Sequence, residues 1–398
     1  MKRSTFRRSI LLTAAGAAAL AVAGGAGAQD PNSVKIGFIL PMTGQQQSTG
    51  KQEAAAAKLF MAQQGDTVAG KKVELIIKDD GAIPDNTKRI AQDMIVNDKV
   101  TFLAGFGITP AAMAVAPLSV EAKMPEIVTA AGTSIITEKS PYIARTSFTL
   151  AQSTVPMADW SAQNGIKKVV TMVSDYAPGA DAEKSFTAEF TAKGGQVVEA
   201  IRFPLANPDF SPFLQKAADD KPDAVFVFVP SGQGGAFVKQ FIEKGLDKAG
   251  VKIIGPGDVT DDDLVNGMGD AIVGTITAHF YSADHPSPVN KAFVAAFRKA
   301  NNGMRPNFMA VSGYDGMHLM YETLKKAGGK TDGDSLITAA KGMAWESPRG
   351  PISIDADTRD IIQNVYIRKV ERKNGELYNV EFATFPAVKD PIKAAEAK

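Results

Sequence analysis

The sequence predicts an α/β protein made of two doubly wound parallel-sheet lobes, and three observations carry that prediction. Strand-sized apolar runs alternate with amphipathic helical stretches along nearly the whole chain. Regular alternation of this kind gives a parallel sheet with helices on both faces. The runs are continuously apolar, as at 224–229 (AVFVFV), which marks strands buried on both sides. There are also too many of them for one ordinary sheet, so two are expected.

The elements follow in order. Strands are expected at 34–40, 72–78, 101–104 and 126–129, with helices at 50–64, 86–97 and 110–122 between them. The second set has helices at 154–164, 180–193, 210–219 and 235–244 and strands at 168–173, 196–202, 224–229 and 251–254. Helices at 290–300, 308–327 and 335–341 come next. Strands at 363–369 and 377–382 then pair across Lys373-Asn374-Gly375-Glu376, because Asn-Gly favours the tight turns that join antiparallel strands. The Pro/Gly/Ser-rich stretches at 282–288 and 347–351 are candidate crossings between lobes.

Residues 1–28 read as an export signal. Lys2, Arg3, Arg7 and Arg8 are basic, 10–23 is apolar and Ala-rich, and Ala26-Gly27-Ala28 fits a small-residue cleavage site. The apolar run is too short for a good membrane anchor. Arg7-Arg8 followed by Ser9-Ile10-Leu11 leaves twin-arginine and ordinary export both open. Cleavage after Ala28 removes four of the 44 Lys+Arg and none of the 43 Asp+Glu, leaving a net charge of −3. A near-neutral, mixed chain argues against a nucleic-acid partner, which would need a basic stripe. The chain has no cysteine, which excludes a disulfide framework, thiolate metal sites, a cysteine nucleophile and a lipid-bearing cysteine at the cleavage point. A soluble protein held together by its own core is expected.

The segment 105–133 (GFGITPAAMAVAPLSVEAKMPEIVTAAGT) is the main candidate for chemistry. A strand ends in a Gly-rich turn, and Thr109-Pro110 then opens an apolar helix, with Thr109 as a good N-cap and Pro110 at the first helical position. A hydroxyl and free backbone N–H groups at a helix N-terminus, on the carboxyl edge of a parallel sheet, form an anion site. The next strand ends in Thr129-Ala130-Ala131-Gly132-Thr133, where small residues expose the backbone and Thr133 adds a second hydroxyl. A plain capped helix and turn remain the alternative. In the second set, Val229-Pro230-Ser231-Gly232-Gln233-Gly234-Gly235 is a Gly-rich strand-to-helix loop without a phosphate-binding lysine or full G-x-G-x-x-G spacing. Asp258, after Gly255-Pro256-Gly257, either meets a ligand ammonium or serves as a turn residue, and Tyr176 can wall a pocket. Ser231 and Asp258 join Thr109, Ala131, Thr133 and Tyr176 as expected ligand contacts. Asp261-Asp262-Asp263 reads as a solvated helix start. His279, His285 and His318 lack metal spacing and no G-x-S-x-G elbow occurs, so neither a metal, a cofactor nor a catalytic site is expected.

In order and spacing, KIGFILPMTG, GKKVELIIKDD, RIAQDMIVNDKVTFLAG, YIARTSF, VVTMVSDYAPG, FSPFLQKAADDKPDAVFVFV and GYDGMHLMYETLKKAGG together resemble a known class. The chain is similar to type I periplasmic binding proteins of the leucine/isoleucine/valine-binding class, the substrate-binding components of ABC importers. The resemblance implies lobes of 29–146 plus 281–350 and of 147–280 plus 351–390. It implies three hinge crossovers near 145–147, 279–282 and 350–352. It further implies a monomer in the periplasm, a membrane permease as partner, and a ligand carboxylate on the Thr109 helix and the Ala131/Thr133 turn, captured as the hinge closes. Amino-acid binders of the class place an acid after the Gly-Pro of the second lobe to hold the ammonium. Here that position is Gly257, with Asp258 one residue on. A branched-chain or related amino acid is therefore the first expectation for the ligand, and an aromatic or aliphatic carboxylate the second. An exported enzyme and a ligand-presenting sensor subunit are the alternatives of another kind.

Overall fold

The computed structural model describes residues 32–396 except Asn207, so the expected signal at 1–28 lies outside the described residues. The first sheet contains β1 (Ser33–Leu40), β2 (Thr67–Val68), β3 (Lys71–Asp79), β4 (Phe102–Gly105), β5 (Glu126–Val128) and β6 (Ile143–Arg145), interleaved with helices α1 (Gln47–Gln64), α2 (Pro84–Asp93) and α3 (Thr109–Ala122). Its order is β2-β3-β1-β4-β5-β6, parallel apart from the short β2. The second lobe runs through α4 (Leu150–Gln163), β7 (Lys168–Ser174), α5 (Ala177–Ala192), β8 (Gln196–Phe203), α6 (Ser211–Asp219), β9 (Ala224–Phe228), α7 (Gly234–Glu243), β10 (Lys252–Pro256) and β11 (Ile276–His279). The chain then returns to the first lobe for α8 (Pro288–Ala300), α9 (Phe308–Lys326) and α10 (Gly333–Ala340). It finishes with β12 (Ala344–Ser347), β13 (Gly350–Ile354), β14 (Ile361–Lys373), β15 (Glu376–Val388) and α11 (Pro391–Glu396). The second sheet has the order β12-β13-β14-β11-β10-β9-β7-β8, with β15 on β14. It is parallel from β8 to β11 and antiparallel beyond.

The apolar runs behave as two-faced strands. In β9, Ala224, Phe226 and Phe228 enter one core, while Val225 and Val227 enter the other. In β1, Val34, Ile36, Phe38 and Leu40 pack toward α1 and α9, and Ile39 packs toward α2 and α3. Burying each such large side chain contributes about 1.5–3 kcal/mol. Phe60 of α1 meets Tyr314 and Tyr321 of α9 edge-on, each at 5.0 Å, which fixes the returning helices on the first lobe.

Four sequence expectations change. The 86–97 helix is α2 followed by a π turn at Met94–Asp98, which brings Asp93 and Asp98 onto one face, each 2.7 Å from Lys78 Nζ. Thr109 lies inside α3 rather than capping it: Ile108 is the N-cap, and no side chain caps the helix. The Pro/Gly stretch at 347–351 is the turn of a β12–β13 hairpin, with Ser347 opposite Gly350. Trp345 of β12 and Ile354 of β13 still pack into the first-lobe core, while β13 pairs with β14 in the second sheet. Finally, Asp261-Asp262-Asp263 is no solvated helix start, because Asp261 and Asp262 are each 1% exposed. Their carboxylates accept from Ser231, Gly232 and Asn379 of the second lobe, while Asp263 accepts from Ser48 and Asn307 of the first. The Asn374-Gly375 turn stands as expected, with φ of 51° and 86° joining β14 to β15.

Candidate functional site

The carboxyl ends of the parallel strands of both sheets open onto one narrow pocket of about 320 Å³, counting its mouth. This is where open α/β sheets receive ligands. In the first lobe, β4 ends at Gly105, whose φ of 108° suits glycine and whose absent side chain leaves room for the Ile39 carbonyl. The chain turns there into Gly107-Ile108-Thr109 at the uncapped start of α3, and these residues line the pocket. Thr109 Oγ1 donates to Thr133 Oγ1 at 3.1 Å, so the two expected hydroxyls meet. Thr133 supports Thr109 from behind and is not part of the pocket lining.

The turn after β5 is held from beneath by Arg145, fully buried at the end of β6. Its guanidinium donates to the carbonyls of Thr133 at 2.7 Å, Phe148 at 2.9 Å and Ala131 at 3.3 Å, and it faces Asp360 at 2.9 Å. The Ala131 N–H donates to the Phe106 carbonyl at 3.1 Å. Both backbone groups of Ala131 are thus engaged, and its contribution to the pocket is a methyl surface. Thr49 of α1 also lines the pocket, and its buried hydroxyl has no hydrogen-bond partner among the described residues.

Across the pocket stand residues of the second lobe. Tyr176, after β7, stacks on Phe228 at the end of β9 at 6.1 Å and 15°. Desolvation, reinforced by Asp258, pushes the Tyr176 phenol up, so it stays neutral. Ser231 lines the pocket while donating to Asp261 Oδ2 at 2.7 Å, and the Gly232 N–H reaches the same oxygen at 2.8 Å. The loop after β9 is therefore set by a buried carboxylate. Asp258 follows β10, 3% exposed, with its pKa raised to about 7 by burial against the lowering effects of its own backbone N–H and Arg368. Its Oδ2 lies 3.5 Å from His279 Nε2 at the end of β11.

The structure thus gathers Thr109, Ala131, Tyr176, Ser231 and Asp258 on one pocket, with Thr133 just behind. Sequence reasoning missed Phe148, Leu150, Pro178, Phe228 and Met309 in the lining. Phe148 and Leu150 immediately follow the first crossover, the one signal that could have drawn attention to them. His279, weighed in the sequence as a metal ligand, stands fully buried behind Asp258. At Gly257 there is no room for a side chain, because a Cβ would overlap the Arg368 guanidinium and the His279 ring. A wider cleft among Trp160, Phe241, Ile254 and Ile276 opens at the amino ends of β10 and β11, away from this chemistry. Among the described residues no cluster of His, Asp or Glu could hold a metal ion, and no helix is long and apolar enough to cross a membrane.

Two crossed α/β lobes with a pocket between their strand ends define the class, and sequence comparison agrees. Residues 33–376 match the Periplasmic binding protein family, and the chain belongs to it. It is 42% identical to the Leu/Ile/Val-binding protein homolog 6 of Brucella abortus (strain 2308), over 96% of this chain and 98% of that one. It is 69% identical to a solute-binding protein of an ABC transporter from Rhodopseudomonas palustris BisB5, solved in complex with 3,4-dihydroxybenzoic acid. That match covers 91% of this chain and 99% of the other with a TM-score of 0.90. A second R. palustris solute-binding protein, in complex with 4-hydroxybenzoate, is 44% identical over 90% of this chain and 98% of that one, with a TM-score of 0.87. The chain is a solute-binding protein of an ABC transporter with the type I periplasmic binding fold.

Proposed function

We propose that this protein captures a hydroxylated aromatic carboxylate in the periplasm and delivers it to an importer permease. The observation that carries the reading is the 3,4-dihydroxybenzoate held by the solute-binding protein that is 69% identical over nearly the whole described chain. The pocket's chemistry supports it. Phe148, Tyr176 and Phe228 supply flat apolar surface for a ring, while the backbone N–H groups at the uncapped start of α3, where Thr109 stands, supply donors for a carboxylate. The ligand carboxylate would rest on the first lobe, with the ring reaching toward Tyr176, Ser231 and Asp258. Closure of the lobes about the three crossovers would then exclude water and strengthen these few polar contacts. Cleavage after Ala28, a freely diffusing monomer, and lobes of 29–146 plus 281–350 and 147–280 plus 351–390 complete the proposal.

A branched-chain amino acid is the second reading, favoured by the Brucella relative's name. It demands a partner for the ammonium. The position after Gly255-Pro256 is Gly257, and the space a side chain would fill there holds a guanidinium instead. Asp258 is the single carboxyl among the described residues that line the pocket, and burial raises its pKa to about 7, which weakens it as a partner for an ammonium. A cationic ligand head would meet Arg368 close behind it.

A thermal-shift panel separates the two. Benzoates bearing ring hydroxyls are expected to raise Tm in a concentration-dependent way, by about 2.7 kcal/mol of added stability at one hundred times Kd. Leucine, isoleucine and valine are expected to leave Tm unchanged. A Tm rise with leucine alone would reverse the choice of ligand.

A further inference from the structure

We infer that Asp258, oriented by His279, is the residue that reads a ring hydroxyl of the ligand and so sets its preference for hydroxylated over plain benzoates. This rests on the aromatic-carboxylate reading above and deepens it. The argument begins with tautomers. His279 Nδ1 accepts the Phe280 N–H at 2.9 Å, so in the neutral ring the proton must sit on Nε2. Burial, together with the nearby Arg368 and Arg349 charges, lowers the His279 pKa well below its ordinary value and keeps the ring neutral. The Nε2–H therefore faces Asp258 Oδ2, 3.5 Å away. Among the described residues neither atom has a hydrogen-bond partner, although both are fully enclosed.

Such a pair is incomplete as it stands. A buried polar group without a partner costs stability, and a ligand that supplies the partner recovers that cost. Asp258 lines the pocket opposite the Thr109 end, beside Tyr176 and Ser231. Its polar neighbours Arg368 and Ser231 already donate elsewhere. Arg368 donates to Thr277 Oγ1 at 3.1 Å and to the Tyr281 carbonyl at 2.5 Å, and Ser231 donates to Asp261. The glycine at 257 allows the His279 ring and the Arg368 guanidinium to approach the carboxyl, because any side chain there would displace them. Asp258 Oδ2, flanked by the His279 Nε2–H at 3.5 Å, is thus left to accept a hydroxyl on the ring, at the end away from the ligand carboxylate. His279 is a positioning residue, acting through Asp258.

The test is a calorimetric comparison of benzoate, 4-fluorobenzoate, 3- and 4-hydroxybenzoate and 3,4-dihydroxybenzoate on the full mature protein. The wild type is expected to bind the best hydroxylated ligand about 10–100-fold more tightly than benzoate or 4-fluorobenzoate. Asp258→Ala is expected to collapse that ratio to within a few-fold, by weakening the hydroxylated ligands far more than benzoate. His279→Leu should lower the ratio, and His279→Gln, which keeps an N–H at similar reach, should restore much of it, an outcome that a merely structural role for His279 would not produce. If Asp258→Ala does not fold, the wild-type comparison with 4-fluorobenzoate still decides, because fluorine fills the position without donating. Equal wild-type affinity for hydroxylated and plain benzoates, or an unchanged ratio in Asp258→Ala, overturns the assignment. Binding of leucine with no benzoate bound at all overturns it together with the reading it rests on, and the panel tells the two failures apart.

Discussion

Thr109 and Thr133 are a shared hydroxyl unit rather than two independent contacts. Thr109 spends its proton on Thr133, which leaves the Thr133 proton and the Thr109 lone pairs to arrange the carboxylate end of the pocket. Replacing either by valine keeps shape and removes one hydroxyl. Thr109→Val is expected to weaken benzoate binding by roughly 1.5–3 kcal/mol, the cost of a hydrogen bond to a charged group, and Thr133→Val, acting through Thr109, by less, with Tm of the unliganded protein nearly unchanged in both. Isothermal titration checks the first and a melting curve the second. Glu53 makes a different argument. It is fully buried one turn along α1 from Thr49, it accepts from the Thr129 hydroxyl, and burial raises its pKa to about 8. A raised carboxyl reverses the usual acid linkage: the unfolded chain ionises near the ordinary value of 4.5 while the native side chain stays protonated, so native stability falls as pH rises from about 4.5 to about 8. Glu53→Gln removes this penalty. The difference in unfolding free energy between Glu53→Gln and wild type, from denaturant melts, is expected to grow from pH 5 to pH 8 by an amount on the order of a few kcal/mol, and a difference independent of pH would refute the buried-acid account.

At the scale of elements, strand ends present the site and buried charges fix how they do so. Most strands were legible because a two-faced parallel strand needs an apolar run, and such runs are visible in one dimension. The short β2, β6, β11, β12 and β13 were not, since each is two to five residues long and is specified by its neighbours rather than by its own pattern. Asp261-Asp262-Asp263 shows why local charge misleads. Asp261 holds the loop after β9, and Asp262 faces Arg368 and accepts from Asn379 Nδ2 at 3.1 Å. Asp263 reaches the first lobe, accepting from Ser48 of α1 at 2.9 Å and from Asn307, the N-cap of α9, at 3.0 Å. Arg305 adds a second tie, donating to the Leu377 carbonyl at 2.6 Å and the Asp262 carbonyl at 3.1 Å while its guanidinium covers Tyr378 at 4.0 Å. These contacts form a clasp between the lobes. Asp263→Ala is expected to speed ligand release, with a loss of affinity of roughly 1.5–3 kcal/mol carried in the off-rate. Stopped-flow dissociation measures it, and an unchanged off-rate would show that the clasp does not hold the closed form.

Across the whole molecule, one apolar core runs from the second sheet through Phe148, Phe280 and Phe308 to Ala56 and Leu59 of α1. The lobes therefore share buried surface at the crossovers, and Arg349 secures it by donating to the Thr146 and Ser147 carbonyls while paired with Asp315 of α9. The sequence by itself determined the α/β class, the two sheets, most of the strands and helices, the absence of cysteine chemistry, and the strand ends at which Thr109, Ala131 and Thr133 stand. These follow from periodicity and turn chemistry, which act over a few residues. Only the tertiary structure decided that Phe148, Tyr176 and Phe228 face one pocket, that Arg145 holds the carboxylate turn, and that His279 and Arg368 fill the space beside Gly257. Those residues come from elements more than a hundred positions apart in some cases, and no local pattern relates them. Their meeting depends on strand order and on three returns of the chain between lobes. That is also why ligand preference, which turns on the partner facing Asp258, was open in the sequence and acquires its physical argument in the fold.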